Sequence, residues 1–223
     1  MRWRPAGAPK PWLYTAVRKF GRVVFRLTLT VRVSGTEHLP ANGGVIVAGN
    51  HRGALDGPIV ATFLPRPATF LVKAEAFVGP LVPALGWLGQ IPVHRGRPDR
   101  EALRRARAVL DRGEVLGLFP EGTRGSGSLD EVQHGIAYLA LRAPHCPIVP
   151  VACLGTEQAL PRGARLPRWR APIDIAFGSP IRITPAAEPR SRRAVAIAAE
   201  EIRVALATHV RTVEKSRDDE VRA

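Results

Sequence analysis

The sequence predicts an α/β protein: a mixed, largely parallel sheet flanked by helices, preceded by an N-terminal amphipathic helix. Three observations carry that prediction. Short uncharged apolar runs, Val45–Ala48, Val115–Phe119 and Ile148–Leu154, have the length and composition of strands buried on both faces. Between them lie segments of helical period with one charged side, the clearest being Pro98–Arg112 closed by Gly113. Strands alternating with helices give a sheet sandwiched between helical layers.

Taken in chain order, Trp12, Leu13, Ala16, Val17, Phe20, Val23 and Val24 recur at helical spacing, and Arg18, Lys19 and Arg22 fill other positions. Two readings of this segment stand: an interfacial anchor with Trp on its apolar side, or a helix docked on the body of the domain. From Phe25 the period changes. Phe25, Leu27, Leu29, Val31 and Val33 alternate with polar residues as a half-buried strand does. A turn-rich stretch, His38–Gly44, leads into the strand Val45–Ala48. Asp56–Leu64 reads as a short helix with Pro58 in its first turn, and Thr69–Val72 as the next strand.

The uncharged stretch Ala76–Val93 approaches the length of a bilayer span. Its Gly79, Pro80, Pro83, Gly86, Gly89 and Pro92 make it a buried helix–loop segment instead, with shallow membrane contact left open. Gln90–His94 is strand-like. Val132–Leu141 reads as a helix, Ile173–Phe177 as a strand and Ser191–Val213 as a long helix. Residues 161–172, rich in Pro, Gly and Arg, form a basic loop. The chain divides into a basic amphipathic segment (1–24), a main domain (25–213) and a C-terminal tail (214–223).

The 223 residues suit one domain with a sizeable core. An apolar fraction of 45% and a charged fraction of 23% exclude a disordered or fibrous chain. Lys and Arg number 33 against 19 Asp and Glu, a net charge of +14 that calls for a polyanionic partner: nucleic acid, an anionic membrane surface or a phosphorylated substrate. Eight of the cations fall in residues 1–36, which hold no acid. Arg18, Lys19 and Arg22 interrupt the apolar core that a secretory leader or a transmembrane helix needs. Two cysteines, Cys146 and Cys153, make neither a metal cage nor a disulfide framework and read as reduced packing residues.

Chemistry is expected where apolar strands end, since ligands of open α/β sheets collect there. Directly after Val45–Ala48 come Asn50, His51 and, five residues beyond the histidine, Asp56. A His and a carboxylate so placed form a base and its orienting partner if the chain turns between them, which Gly53 permits; a solvated loop histidine is the other reading. After Val115–Phe119 comes Pro120-Glu121-Gly122-Thr123-Arg124. There a carboxylate faces hydroxyls, a glycine turn offers backbone N–H groups to an anion, and an arginine suits a phosphate. Arg95 follows the strand-like Gln90–His94; each arginine also reads as an ordinary surface residue. No HExxH or CxxC motif points to a metal and no G-x-S-x-G to a nucleophilic serine.

Read together, four segments resemble the glycerolipid acyltransferase family that includes bacterial 1-acyl-sn-glycerol-3-phosphate acyltransferases. Asn50-His51 with Asp56 matches its Asn-His-x4-Asp motif, Gly89–Arg95 its Gly-x-Ile-x-Val-x-Arg-like strand, Phe119–Arg124 its Phe-Pro-Glu-Gly-Thr-Arg, and Ile148–Val151 its Val-Pro-Val strand. Where the family often has Phe-Lys-x-Gly, this chain has Val132-Gln133-His134-Gly135. The resemblance implies acyl transfer from acyl-CoA or acyl carrier protein to a lysophospholipid hydroxyl, with His51 and Asp56 catalytic and no cofactor. It implies that Arg95, Glu121, Gly122, Thr123 and Arg124 hold the acceptor's glycerol-phosphate end, that Pro150 lies near the donor or catalytic site, and that residues 76–93 line an acyl groove. Many relatives carry a clear transmembrane helix, and this chain departs from them. The cations of residues 1–36 and the stripe with Trp12 and Phe20 point instead to a peripheral protein on the cytoplasmic face of an anionic membrane, with no nucleic-acid partner expected. Another lysolipid acceptor, a nucleic-acid-binding module and a catalytically silent membrane-binding relative are the competing readings.

Overall fold

Alternate residues of the apolar runs turn to opposite faces of one sheet, and both faces are covered. The computed structural model describes residues 11–79, 81–94, 99–122, 127–184, 188–189 and 191–222. In chain order the elements are α1 (Pro11–Thr28), β1 (Thr30–Ser34), β2 (Val45–Gly49), α2 (Asp56–Phe63), β3 (Ala68–Lys73), α3 (Leu81–Trp87), β4 (Ile91–Val93), α4 (Arg100–Asp111), β5 (Val115–Leu118), α5 (His134–Arg142), β6 (Ile148–Leu154), α6 (Thr156–Ala159), β7 (Pro172–Phe177) and α7 (Arg192–Arg222). The seven strands are ordered β1-β7-β6-β2-β5-β3-β4. From β6 to β4 all neighbours are parallel; β7 is antiparallel to β6, and β1 runs with β7. This is the mixed, largely parallel sheet that the apolar runs predict.

Ile46, Ala48, Leu116, Leu118, Ile148 and Ala152 face α4, α5 and α7. Val45, Val47, Val115, Val149, Val151 and Cys153 face the layer holding α2 and the end of α1. Both cysteines are buried and unpaired, as packing residues should be.

Three expectations change. The first is the boundary after the N-terminal helix: α1 continues through Thr28, where a strand was expected from Phe25. Phe25 and Leu29 extend the inward line of Tyr14, Arg18, Gly21 and Arg22, so helical packing overrides the local alternation. That inward line is the more polar side of the helix. The buried Tyr14 hydroxyl bonds both Ala68 O and Ala68 N at 3.0 Å, and Arg22 caps the end of α2 through Thr62 O (3.0 Å) and Leu64 O (3.3 Å). Most of the apolar stripe therefore points outward, with Trp12 67% and Phe20 72% exposed.

The second is residues 76–93, which are not buried as a whole. Only Gly86 of α3 is buried, while Val78, Leu81 and Trp87 are exposed, because the glycines and prolines limit the helix to two turns at the edge of the sheet. The third is the expected tail. Residues 214–222 continue α7 and are tied back to the body. Arg217 Nε lies 3.1 Å from Asp174 Oδ2, Arg32 Nε bonds the other oxygen of Asp174 at 2.5 Å, and Arg32 also pairs with Glu220.

At the start of α4, Asp99 accepts from Ala102 N (3.0 Å) and from His94 N and Nδ1 (3.0 Å each). Burial pushes its pKa up, but those donors outweigh it and hold the carboxyl down from 3.8 to about 2. A depressed folded-state pKa gives stability that is present above pH 3.8 and lost as pH falls toward 2. Asp99→Ala is expected to cost about 1 kcal/mol at neutral pH through the lost cap. Urea denaturation should show the gap from wild type closing across that acid window.

Candidate active site

A carboxylate with no exposed surface organises the carboxyl end of β2. Asp56 is the first residue of α2, where the helix dipole favours negative charge. Its Oδ2 accepts from His51 Nδ1, Arg52 N and Gly53 N, each at 2.8 Å, and its Oδ1 accepts from the hydroxyl of Thr156. Oδ2 already accepts from two backbone N–H groups, so it also accepts from His51 Nδ1, and in the neutral ring that tautomer leaves the lone pair on Nε2. Phe119 stacks on the imidazole, with ring centroids 4.6 Å apart. The His51 side chain is 14% exposed, enough to meet a substrate while held in one tautomer.

The turn between the two residues depends on close approach. A Cβ on Gly53 would lie 2.5 Å from Thr156 Oγ1 and 2.8 Å from its carbonyl carbon, so only glycine lets the loop reach the end of β6. One residue before His51, the buried Asn50 side chain acts as an extra peptide group. It donates to Cys153 O at 3.1 Å and accepts from Cys153 N at 2.8 Å, prolonging the contact of β2 with β6. Burial, then the neighbouring Asp56 carboxylate, raise the Cys153 thiol well above its ordinary pKa, which makes it an inert packing group.

The Glu-Gly turn after β5 meets the same loop. Glu121 Oε1 accepts from His51 N at 2.9 Å, and burial pushes the Glu121 carboxyl up despite that bond. The carboxylate thus braces the histidine's backbone. Gly122 adopts φ +71° and donates its N–H to Phe119 O at 3.1 Å, so it shapes the turn and has no amide proton left for an anion. Arg95, Thr123 and Arg124 lie outside the described residues. Pro150, expected beside the donor or catalytic site, turns its ring to the α7 side: a Cβ on Gly178 would meet both Pro150 Cγ (2.8 Å) and His209 Nδ1 (2.6 Å). Among the described residues no group of three His, Cys, Asp or Glu side chains is placed to hold a metal ion.

Two members of the site carry no role in the sequence reading. Thr156 had a signal, a hydroxyl two residues past an apolar strand, but its partner is a hundred residues away. Arg52 pairs with Glu214 of α7 and lies 3.9 Å from Glu157 of α6, which ties the loop after β2 to the last helix. Nothing in the local sequence indicates that pairing.

The acyltransferase family profile matches residues 30–154, more than half of the chain. The chain is 29% identical over 184 residues to a 1-acyl-sn-glycerol-3-phosphate acyltransferase of Limnanthes alba, covering 77% of this chain and 64% of that protein. A Bacillus subtilis protein of the same description is 29% identical over 136 residues, covering 60% of this chain and 67% of the relative. The match to the plant protein thus spans less than two thirds of its length. The crystal structure of the 1-acyl-sn-glycerophosphate acyltransferase of Thermotoga maritima superposes with a TM-score of 0.69 at 25% identity, covering 91% of this chain and 80% of that one.

Removing a donor from this buried cluster should be costly. Asn50→Ala leaves Cys153 N–H and C=O unpaired, and Thr156→Val strips a donor from Asp56. Each is expected to cost about 1–3 kcal/mol in urea denaturation. Thr156→Ser, which keeps the hydroxyl, should recover most of the loss.

Proposed function

This chain belongs to the acyltransferase family, and from that premise we propose that it transfers a fatty acyl group from a thioester donor to a lysophospholipid hydroxyl. The observation that carries the reading is the imidazole of His51, fixed by Asp56 with Nε2 left as the proton acceptor. Nε2 takes the proton of the acceptor hydroxyl as its oxygen attacks the thioester carbonyl. The tetrahedral intermediate collapses with cleavage of the C–S bond, and the departing thiolate recovers the proton from the imidazolium. Asp56 stabilises that cation, and Thr156 and the Arg52 and Gly53 N–H groups keep the carboxylate aimed. The donor is acyl-CoA or acyl carrier protein. The preferred acceptor is 1-acyl-glycerol-3-phosphate, giving phosphatidate and so a step of phospholipid synthesis.

In this reading Arg95, Thr123 and Arg124 bind the acceptor phosphate, Glu121 and Gly122 form the turn after β5, and Pro150, opposite Ala48 of β2, lies near the donor. One observation favours a second acceptor. Gln133, a neutral residue, packs beside the turn, 3.2 Å from where a Cβ on Gly122 would stand. A lysolipid with a less anionic head group is therefore the alternative. The outward stripe of α1, with the cations of residues 1–36, supports peripheral attachment to the cytoplasmic face of an anionic membrane. No described helix is long and apolar enough to cross a bilayer.

The test is thiol release by the purified protein from acyl-CoA across a panel of lysolipids, with lysophosphatidate expected to turn over fastest. His51→Ala should lower kcat about 10²–10⁴-fold with an unchanged circular dichroism spectrum. Near-normal turnover by the folded variant would remove the general-base reading.

A further inference from the structure

We infer that the loop spanning residues 160–171, between α6 and β7, is a second interfacial anchor that binds anionic lipid alongside α1; the inference rests on the peripheral reading above. The loop displays Arg162, Arg165, Arg168 and Arg170, all exposed, and no acidic residue lies between Glu157 and Asp174. Among these cations stand two large apolar side chains turned to solvent, Leu166 at 80% and Trp169 at 70% exposure. Arginines around an outward tryptophan suit a bilayer interface: the indole sits at head-group level and the guanidinium groups meet lipid phosphates.

The loop is built to present these groups. Arg168 N donates to Ala159 O and Arg170 N to Thr28 O, each at 2.7 Å, and Thr30 N donates to Ala171 O at 3.0 Å. Arg170 adopts φ +54°, a conformation non-glycine residues avoid, between Trp169 and the first residues of β7. The loop is thus braced by the end of α1, whose own outward face carries Phe20, Val23 and Leu27.

Topology places this surface beside the chemistry. β7 is antiparallel to β6 with Asp174 opposite Leu154, and Thr30 of β1 lies opposite Pro172. The starts of β1 and β7 therefore lie at the sheet edge where β2 and β6 end in His51 and Thr156. The segments leading into them, the end of α1 and the arginine loop, flank that edge. A bilayer engaged by both would hold the catalytic edge toward its surface, within reach of an acceptor whose acyl chain stays in the membrane.

The experiment is co-sedimentation of the full chain with vesicles of phosphatidylglycerol and phosphatidylcholine, or of phosphatidylcholine alone. The variants are R165Q/R168Q, Trp169→Ser and, in α1, W12S/F20S. Each arginine near an anionic surface is worth roughly fivefold in partitioning, so R165Q/R168Q should weaken binding to anionic vesicles about 25-fold. Trp169→Ser should weaken it severalfold, with melting temperatures unchanged. Loop variants that bind like wild type while W12S/F20S fails would overturn the loop's role and leave the peripheral reading in place. Failure of the wild-type chain to bind either vesicle would overturn both. Should the arginine change abolish binding to a single-stranded oligonucleotide and spare vesicle binding, the patch is a nucleic-acid surface and the inference falls.

Discussion

A carboxylate removed from water loses hydration worth several kcal/mol, and the fold must return it as hydrogen bonds. Asp56 is fully buried, and its donors come from two strand ends and the turn between β2 and α2. Satisfying it fixes much of the architecture. β2 and β6 must be adjacent so that Thr156 reaches it, Gly53 must lack a side chain, and Asn50 must lock the two strand ends together. The His51 imidazole is positioned as a consequence, through a donor that keeps part of its surface exposed.

The same loop is braced from two further directions. Glu121 holds the His51 backbone from the end of β5, and Arg52 reaches Glu214 near the end of α7. A residue of the loop after β2 is thereby coupled to a helix more than 160 positions away. Other ion pairs fasten the last turns of α7 to β7 and β1. These residues are polar and read locally as a solvated tail, yet they close the antiparallel end of the sheet against the site.

Charge and apolarity are distributed on α1 against the usual rule for a surface helix. A helix that only docked would bury its apolar stripe. Here the inward side is satisfied by specific hydrogen bonds from Tyr14 and Arg22, which leaves Trp12 and Phe20 available outside. The helix is therefore docked on the body, as one reading of the segment expects, and it presents an apolar surface rimmed by cations.

The buried strands were legible in the sequence because burial on both faces demands uninterrupted apolar runs, and Ile148–Leu154 matches β6 residue for residue. So was the His51–Asp56 pair, since the two residues stand five apart and Gly53 lets the chain turn between them. The partners that complete the pair were not legible. Thr156, Glu121 and Glu214 reach the loop from strand ends and a helix far along the chain, and contacts of that range leave no local period or spacing. Nor does amphipathicity say which side of a helix faces inward: periodicity gave α1 its two sides, but only the carbonyls at the end of α2 and the backbone of Ala68 decided which one docks. The sequence by itself determined the buried strands and the pairing of His51 with Asp56, because these rest on local burial and short spacing. Tertiary structure alone decided what surrounds the pair, because those groups meet only when the sheet closes.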